Sequence, residues 1–398
     1  MLKLKYIYIG GSEVKTSVQR KVVNQIYQLN FNGIPTEGWF FSDSVDSELK
    51  LNDFITIFPL KTQQVHKKYF KSYFDSDAIN AFVYDFIEDR ITDSDILFIR
   101  HYRTTRNYIK ILKKYAKKII LYIPSNTIAE NFRERQVNQN AGLISKLLSW
   151  WEYFRCFYVF EFYLLRNLIS RLKSVVVFTP EFAEIIKSKA WGSVRVIYNR
   201  DGVACNEVPC RKINAETHDN VIKLLFMKGS SMQQSWSGLE RLVESIEHNG
   251  KNRFQLFITG RMPDPRSFQK DFITLTGNLS MNDLIDLVNK VDLGVSNLSN
   301  YLIGFNSTAN LKSREYYARG LPFIQANNMP DIDQTEAKKY YLNIPNLNQT
   351  INMDAIYDFA IKMRKDENHP FKMRSFAEEN LDWKITVKEL AESLRKIQ

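Results

Sequence analysis

The sequence predicts an α/β protein made of two Rossmann-like, doubly wound units with a cleft between them. Strand-like apolar runs alternate with segments of helical period along the whole chain, which is typical of parallel sheets covered by helices on both faces. The alternation is broken once, by the polar and irregular stretch 206–220, and then restarts. The 398 residues are enough for two units that each bury a core of their own.

The first half of the chain opens with an apolar run that ends at Gly10 and Gly11. A helix is expected after it, because Val18, Val22 and Ile26 recur on one helical face. Further runs rich in β-branched and aromatic residues predict more strands. Strands are expected at 5–9, 95–99, 118–123, 174–179 and 194–198, with helices at 18–29 and 108–115.

The second half repeats the pattern after the irregular stretch. Strands are expected at 223–227, 254–259, 272–276, 293–297 and 322–325, with helices at 239–246, 281–288, 311–318 and 355–362. Ligands of doubly wound sheets bind outside the carboxyl ends of the strands. We therefore expect both sheets to present these ends to a shared cleft.

Composition and charge exclude several classes of protein. Three scattered cysteines and five isolated histidines exclude a disulfide framework and a metal cluster. Residues 100–200 hold 19 Lys and Arg against 6 Asp and Glu, a basic block that is typical of proteins binding nucleic acid, an anionic membrane or a phosphorylated substrate. No nucleic-acid recognition module accompanies the block, so we expect no nucleic-acid partner. The sequence contains no apolar run of about eighteen residues, so it predicts no transmembrane helix. We expect a cytoplasmic protein.

The segment 143–172 mixes aromatic rings with basic side chains, among them Trp150, Trp151, Arg155 and Arg166. One interpretation is an amphipathic helix that lies in a membrane interface. The other is a long core helix whose rings pack on the sheet. Both can hold if only part of the helix face is exposed.

The segment 291–324 carries the clearest pattern for a binding site. A strand is followed by a loop of small polar residues and by a helix that opens near Leu311, and such a helix start offers N–H groups and a positive dipole to an anion. Lys312 adds a positive charge, and Glu315 adds a carboxylate three residues on. A nucleoside diphosphate fits this set, with its phosphates at the N–H groups and its ribose at the carboxylate. The loop residues are Gly304, Asn306, Ser307, Thr308 and Asn310.

The run 311–324, LKSREYYARGLPFI, resembles the K-x-x-E-Y-x-A-x-G-x-P signature of GT-B glycosyltransferases, in the large retaining group that builds bacterial cell-surface polysaccharides. The resemblance is strong over 221–325 and loose elsewhere. It implies an N-terminal acceptor domain over 1–203 and a nucleotide-sugar donor domain over 204–372. It also implies C-terminal helices over 373–398 that cross back to the first domain.

The activity implied by the resemblance is transfer of a sugar from a UDP- or GDP-linked donor to a growing, lipid-linked surface glycan. Retention of configuration is implied, without a metal or another cofactor. Donor binding would use Lys228, Gly229, Ser230, Ser307, Thr308, Asn310, Leu311, Lys312 and Glu315, with Arg314 as a further candidate cation. Lys312, Glu315 and His101 would be catalytic, and Gly10, Gly11, Arg100 and His101 would lie on the acceptor side.

The chain also departs from the family pattern. The position eight residues before Glu315 is commonly a second Glu and is Ser307 here, and the usual Arg and Lys that grip the diphosphate fall at Ser230 and Ser237. Lys312 is then the main cation for the leaving group. Two alternatives stay open: a non-catalytic GT-B-like partner that binds nucleotide or glycan, and a GT-B sugar-nucleotide epimerase.

Two acidic triplets, 75–77 and 93–95, match the D-x-D metal–nucleotide motif of the other glycosyltransferase fold. Neither follows a buried apolar strand, so we expect no metal site there. A lipid-linked acceptor, the basic block and the aromatic segment together predict peripheral association with an anionic membrane surface, on the inner face of the cell membrane.

Overall fold

A computed structural model describes residues 2–10, 17–60, 71–125, 130, 147, 150–151, 154, 159–212, 220–228, 234–262 and 265–397. Packing divides the chain into two compact units. The first consists of Met1–Arg200 and Thr386–Gln398, and the second of Asp201–Ile385. The predicted binding of acceptor by one domain and donor by the other stays a prediction.

The first unit is built on an eight-stranded sheet in the order β3-β4-β2-β1-β5-β6-β7-β8. Every neighbouring pair is parallel except β3 with β4. The strands are β1 (Lys3–Ile9), β2 (Thr36–Ser42), β3 (Leu49–Lys50), β4 (Ile55–Pro59), β5 (Asp95–Arg100), β6 (Ile119–Tyr122), β7 (Ser174–Val177) and β8 (Val196–Tyr198). The helices are α1 (Ser17–Phe31), α2 (Lys71–Arg90), α3 (Arg106–Lys114), α4 (Val159–Tyr163) and α5 (Pro180–Lys189).

The strand order of this sheet changes direction between β1 and β5. From β1 the chain proceeds outward through β2 to β4, and it then returns to pair β5 with the other side of β1. Arg100 at the end of β5 is in register with Tyr122 at the end of β6. The carboxyl ends of these central strands therefore form the position where doubly wound sheets bind ligands.

The second unit contains a fully parallel six-stranded sheet in the order β11-β10-β9-β12-β13-β14. Its strands are β9 (Ile222–Met227), β10 (Phe254–Thr259), β11 (Ile273–Gly277), β12 (Leu293–Val295), β13 (Phe323–Gln325) and β14 (Tyr341–Asn343). Its helices are α6 (Leu239–Asn249), α7 (Met281–Lys290), α8 (Leu311–Arg319), α9 (Met353–Lys365) and α10 (His369–Phe376). The last helix, α11 (Trp383–Arg395), continues into the first unit.

Helices cover both faces of the second sheet, because alternate residues of β9 enter two different cores. Leu224 and Phe226 belong to the core formed with α6 and α9. Leu225 and Met227 belong to the core formed with α8 and α10. The direction of strand order changes between β9 and β12, so the carboxyl ends of these two strands mark the expected ligand position.

The predicted fold class is confirmed. Each strand and helix expected outside the segment 143–172 is present with bounds within three residues of the prediction. Much of 143–172 lies outside the described residues, and the α-helix described there, α4, has five residues. The C-terminal segment Thr386–Gln398 belongs to the first unit, where the Asn199 side-chain amide donates to the Thr386 carbonyl at 2.7 Å. Arg200 also pairs with Glu389 at 2.6 Å. The C-terminal helix thus packs on the first unit, as expected.

Candidate functional site

The start of helix α8 is fixed by a side-chain cap. Asn310 has an extended backbone, and its Oδ1 accepts hydrogen bonds from the Ser313 N–H at 2.9 Å and the Ser313 hydroxyl at 2.7 Å. The next two backbone N–H groups, of Leu311 and Lys312, have no acceptor among the described residues. The predicted binding residue Asn310 therefore orients the helix start, and Leu311 and Lys312 present the N–H groups.

The loop before α8 is pinned to the segment that follows β13. Ser307 forms an isolated parallel bridge with Asn328, and the Thr308 N–H donates to the Asn328 carbonyl at 2.9 Å. Both Ser307 and Thr308 are buried. The loop is thus a rigid support for the helix start, and the Thr308 N–H is already used within the protein.

Two lysines lie at the carboxyl end of β9. The half-buried Lys312 ammonium lies 4.2 Å from the centroid of the Phe226 ring. Lys228 directly follows β9, and its ammonium donates to the Arg261 carbonyl at 3.1 Å. Burial, with the positive charge of Lys228 as a second cause, lowers the pKa of Lys312 to about 8. Burial also lowers the pKa of Lys228, against the opposing charge of Glu240.

The lowered pKa values of the two lysines indicate that both ammonium groups carry their charges at a cost. Water is partly excluded from both, and the charge of Lys228 disfavours the charged form of Lys312. A bound anion reverses both effects, because it replaces the missing solvation and screens the repulsion. The pair is therefore chemically suited to a diphosphate.

Glu315 is held by an ion pair within α8. Its Oε1 accepts from Arg319 Nε at 2.9 Å and from Arg319 Nη2 at 2.7 Å. The side chain of Arg319 is 1% exposed, whereas that of Glu315 is 34% exposed. No described residue donates to Oε2 of Glu315. One carboxylate oxygen is thus fixed by the protein while the other is accessible to a hydroxyl-bearing ligand.

Arg314, a candidate cation in the sequence, is instead part of the support of α8. Its Nη2 pairs with Asp331 Oδ2 at 2.6 Å, and its Nε donates to the Asp201 carbonyl at 3.1 Å. The Arg314 side chain is 0% exposed and that of Asp331 is 6% exposed. A guanidinium so enclosed is not accessible to a ligand, and the pair fixes the helix that carries Lys312 and Glu315.

The turn after β9 lies against the loop after β12. The N–H groups of Leu298 and Ser299 donate to the carbonyls of Ser237 at 2.9 Å and Trp236 at 3.2 Å. Gly238 has a φ of +71°, and a Cβ there would lie 2.7 Å from the Leu298 Cβ, so glycine is required. The predicted binding residues Gly229 and Ser230 lie outside the described residues, and Ser237 is buried.

In the first unit, His101 is buried within a polar network. Its Nδ1 lies 3.2 Å from the Tyr108 hydroxyl, and its Nε2 lies 3.4 Å from Glu161 Oε1. Glu161 also accepts a short hydrogen bond from Thr104. Both ring nitrogens of His101 therefore have protein partners, which fixes the ring. The predicted catalytic role of His101 stays a prediction.

The other acceptor-side residues lie at the ends of the central strands. The Gly10 N–H donates to the Phe41 carbonyl at 3.2 Å, and Gly11 lies outside the described residues. The Arg100 guanidinium lies over the Tyr122 ring. Tyr122 was not predicted as a site residue, although it lies near the carboxyl end of the expected strand 118–123 and is the last residue of β6.

The described residues contain no group of three or more His, Cys, Asp or Glu side chains able to hold a metal ion. The two D-x-D triplets serve other purposes. Asp77 accepts from the backbone N–H of Asn107 at 2.9 Å, and buried Asp95 accepts from the Thr92 hydroxyl at 2.6 Å.

Among all the residues that the structure describes, no helix is long and apolar enough to cross a membrane.

No family model and no curated protein matches the chain. Solved structures nevertheless share its fold over almost the full length. WaaG, a glycosyltransferase involved in lipopolysaccharide biosynthesis, has a TM-score of 0.62 at 13% identity, covering 98% of this chain and 99% of that chain. Sucrose-phosphate synthase from Thermosynechococcus elongatus has a TM-score of 0.67 at 11% identity, with 100% and 99% covered. Anabaena Alr3699/HepE, solved with UDP and glucose, has a TM-score of 0.58 at 13% identity, with 98% and 99% covered.

Proposed function

We propose that the chain is a glycosyltransferase that moves a sugar, with retention, from a UDP- or GDP-linked donor to a lipid-linked surface glycan. The observation that carries the proposal is the arrangement around α8 in the second unit. Two lysines and two available backbone N–H groups lie at the carboxyl edge of β9, where a nucleoside diphosphate would fit, and an accessible carboxylate oxygen of Glu315 lies on the same helix α8. The solved glycosyltransferases of the same fold support it, and one of them holds UDP and glucose.

Each group would have a separate task in the reaction. The N–H groups of Leu311 and Lys312, together with the Lys312 and Lys228 ammonium groups, would bind the diphosphate and stabilise its charge as the sugar leaves. Glu315 Oε2 would accept hydrogen bonds from the ribose hydroxyls. The leaving phosphate would take the proton of the acceptor hydroxyl, so no separate protein base is assigned. These tasks use only backbone dipoles, two cations and one carboxylate of the chain.

Incubation of the protein with a panel of nucleotide sugars tests the proposal. Slow hydrolysis of one UDP- or GDP-sugar, giving free sugar and nucleoside diphosphate, is the result expected of a transferase without its acceptor. Release of an epimerised sugar indicates the epimerase. Thermal stabilisation by nucleotide with no turnover, even with added cell-envelope lipid extract as acceptor, indicates the non-catalytic partner.

The ribose contact predicts the effect of Glu315→Gln. The amide oxygen can still accept from Arg319, so the variant should fold, but the charged hydrogen bond to the ribose is lost. We expect the affinity for UDP, measured by isothermal titration calorimetry, to fall roughly tenfold or more, since such bonds contribute about 1.5–3 kcal/mol. Glu315→Ala is a poorer test, because it would leave the buried Arg319 guanidinium without any acceptor at this position, whereas Gln removes only the negative charge.

The dideoxy analogue of UDP provides the matched ligand control. The native chain should bind 2′,3′-dideoxy-UDP as weakly as the Glu315→Gln variant binds UDP, and the variant should not distinguish the two ligands. A variant that distinguishes them as well as the native chain does would remove Glu315 from the ribose site.

We also propose that the first unit associates with an anionic membrane surface through aromatic residues beside basic ones. Trp191, which is 67% exposed, donates its backbone N–H to the Arg166 carbonyl at 3.0 Å. The Arg166 guanidinium carbon in turn lies 5.3 Å from the ring centroid of Phe162, which is 40% exposed. Exposed aromatic residues beside cations suit a headgroup region. Leu147, Trp150, Trp151, Phe154 and Val159 are exposed as well, whereas Arg155 lies outside the described residues.

Liposome sedimentation tests this membrane contact. Binding should increase with the fraction of anionic lipid and fall at high salt, because each basic residue near such a surface contributes about 1 kcal/mol and salt screens it. Trp191→Ala and the double variant Arg166→Glu with Arg171→Glu should each weaken it several-fold. Phe371→Ala is the matched control, since Phe371 is equally exposed at 67% but lies in the second unit. Equal sedimentation with neutral and anionic vesicles contradicts the prediction.

A further inference from the structure

Two cations of the first unit converge on one aromatic ring. The Lys21 ammonium lies 4.7 Å from the centroid of the Tyr122 ring and forms a short hydrogen bond with its hydroxyl. The Arg100 guanidinium carbon lies 5.1 Å from the same centroid. We name Lys21, Arg100 and Tyr122 the Tyr122 cluster. All three residues belong to the first unit, whereas Lys228 and Lys312 belong to the second.

The topology places the Tyr122 cluster where a doubly wound sheet binds its ligand. Arg100 and Tyr122 end the neighbouring strands β5 and β6, and Lys21 belongs to α1, the helix that follows β1. The strand order changes direction between β1 and β5. The cations therefore lie beside the ligand position of this sheet.

Burial makes the concentration of positive charge costly. Lys21 is 4% exposed and Tyr122 is 1% exposed. Because both cations lie close to the centroid of the Tyr122 ring, at 4.7 Å and 5.1 Å, they lie within about 10 Å of each other. Buried charges still repel over this range. No described residue offers a carboxylate within ion-pair distance of Arg100.

The Arg100 guanidinium also has a buried donor without an acceptor. Its Nη1 is inaccessible to solvent and donates to no described residue. A buried N–H group in this state is unfavourable by about 1–3 kcal/mol, and more when it is charged. An anion bound beside Tyr122 would accept from this group and offset the repulsion between the two cations.

We propose that the Tyr122 cluster binds a phosphate group of the acceptor substrate. A phosphomonoester suits the cluster better than a carboxylate, because its charge approaches −2 and matches two cations, and because a guanidinium can bind two of its oxygens. That the phosphate belongs to the acceptor substrate rests on the proposed glycosyl transfer, whereas the binding of phosphate does not. The phosphate could belong to a soluble sugar phosphate or to a lipid headgroup.

The experiment measures phosphate binding by the full chain with UDP present in excess, so that the second unit is occupied. Glucose 6-phosphate is titrated calorimetrically in one arm, with glucose as the blank. Vesicles of phosphatidylcholine with phosphatidic acid are used in the other arm, with pure phosphatidylcholine as the blank. The arm in which Arg100→Gln weakens the phosphate-dependent binding identifies the source, because the aromatic and basic residues of the first unit would bind anionic vesicles without the cluster.

Arg100→Gln should weaken this binding at least tenfold, and Lys21→Met provides a second variant if the first fails to fold. Lys113→Gln is the matched control, because the exposed Lys113 ammonium also lies 5.0 Å from a tyrosine ring, that of Tyr163, in the same unit. It removes the same charge and should change binding less than twofold. Equal losses in Arg100→Gln and Lys113→Gln, or no binding to either phosphate probe, overturn the inference. A chain that binds phosphate but neither binds nor hydrolyses nucleotide sugars overturns the proposed function and leaves the phosphate site standing.

Discussion

Lys312→Ala is expected to weaken the binding of UDP by roughly 10- to 150-fold, the loss of one charged hydrogen bond of about 1.5–3 kcal/mol. The Lys312 ammonium is a cation beside the available N–H groups at the start of α8, and the position is half-buried, which strengthens its attraction for phosphate. Isothermal titration calorimetry of UDP against the variant measures the effect. Sugar-nucleotide turnover should fall with it, because the same charge would stabilise the leaving diphosphate.

Uridine supplies the matched ligand control for this variant. It lacks the phosphates, so its affinity should be the same for the native chain and for Lys312→Ala. If Lys228→Ala weakens UDP binding and Lys312→Ala does not, the roles of the two lysines must be exchanged. If neither variant changes UDP binding, the diphosphate site lies elsewhere.

The lowered pKa of Lys312 also predicts a pH dependence. The amine loses its proton as the pH increases through about 8, so the affinity for UDP should decrease above that pH, by up to tenfold for each pH unit. The terminal phosphate of UDP, with a pKa of about 6, is already ionised there. Lys312→Arg keeps its charge through pH 9.5 and should show no such decrease. If the affinity of Lys312→Arg for UDP decreases above pH 8 as that of the native chain does, the assignment is contradicted.

The sequence predicted the fold well because its patterns are local. The runs that became β1, β5, β9 and β10 are mostly apolar, as expected of parallel strands buried on both faces. Strands β2, β3, β4 and β14 were not predicted. The first is an aromatic run that contains Gly38, and β4 ends in proline. Strands β3 and β14 are only two and three residues long. Such short segments form because neighbouring strands pair with them, which a local pattern does not contain.

The site was partly predictable for the same reason. The spacing of Lys312 and Glu315 on one helix is a local property, and the Asn310 cap could have been recognised because Asn is a preferred residue directly before a helix. The pairing of Glu315 with Arg319 is also legible at i,i+4. The contact of Lys21 with Tyr122 joins residues 101 positions apart, and only the tertiary fold brings them together.

Asp331→Ala is expected to lower the free energy of unfolding by about 3–5 kcal/mol, because it leaves the fully buried Arg314 guanidinium without its anion. Arg314 lies between Lys312 and Glu315 on α8, so the loss should also weaken UDP binding, by disordering the helix start. Urea unfolding followed by tryptophan fluorescence measures the first effect. Trp236 in the second unit is buried and serves as one reporter.

The loss of stability in Asp331→Ala should depend on the burial of the ion pair and not on the ion pair as such. Two matched variants test this. Arg253 and Asp354 form a pair with the same 2.6 Å separation, but their side chains are 39% and 75% exposed. Asp354→Ala should therefore change stability by less than about 1 kcal/mol. The double variant Asp331→Ala with Arg314→Met should recover most of the stability lost in Asp331→Ala, since it removes the buried charge and fills the space with an apolar chain. If the double variant is as unstable as Asp331→Ala, the unpaired charge is not the cause, and the loss must come from the other contacts of Asp331.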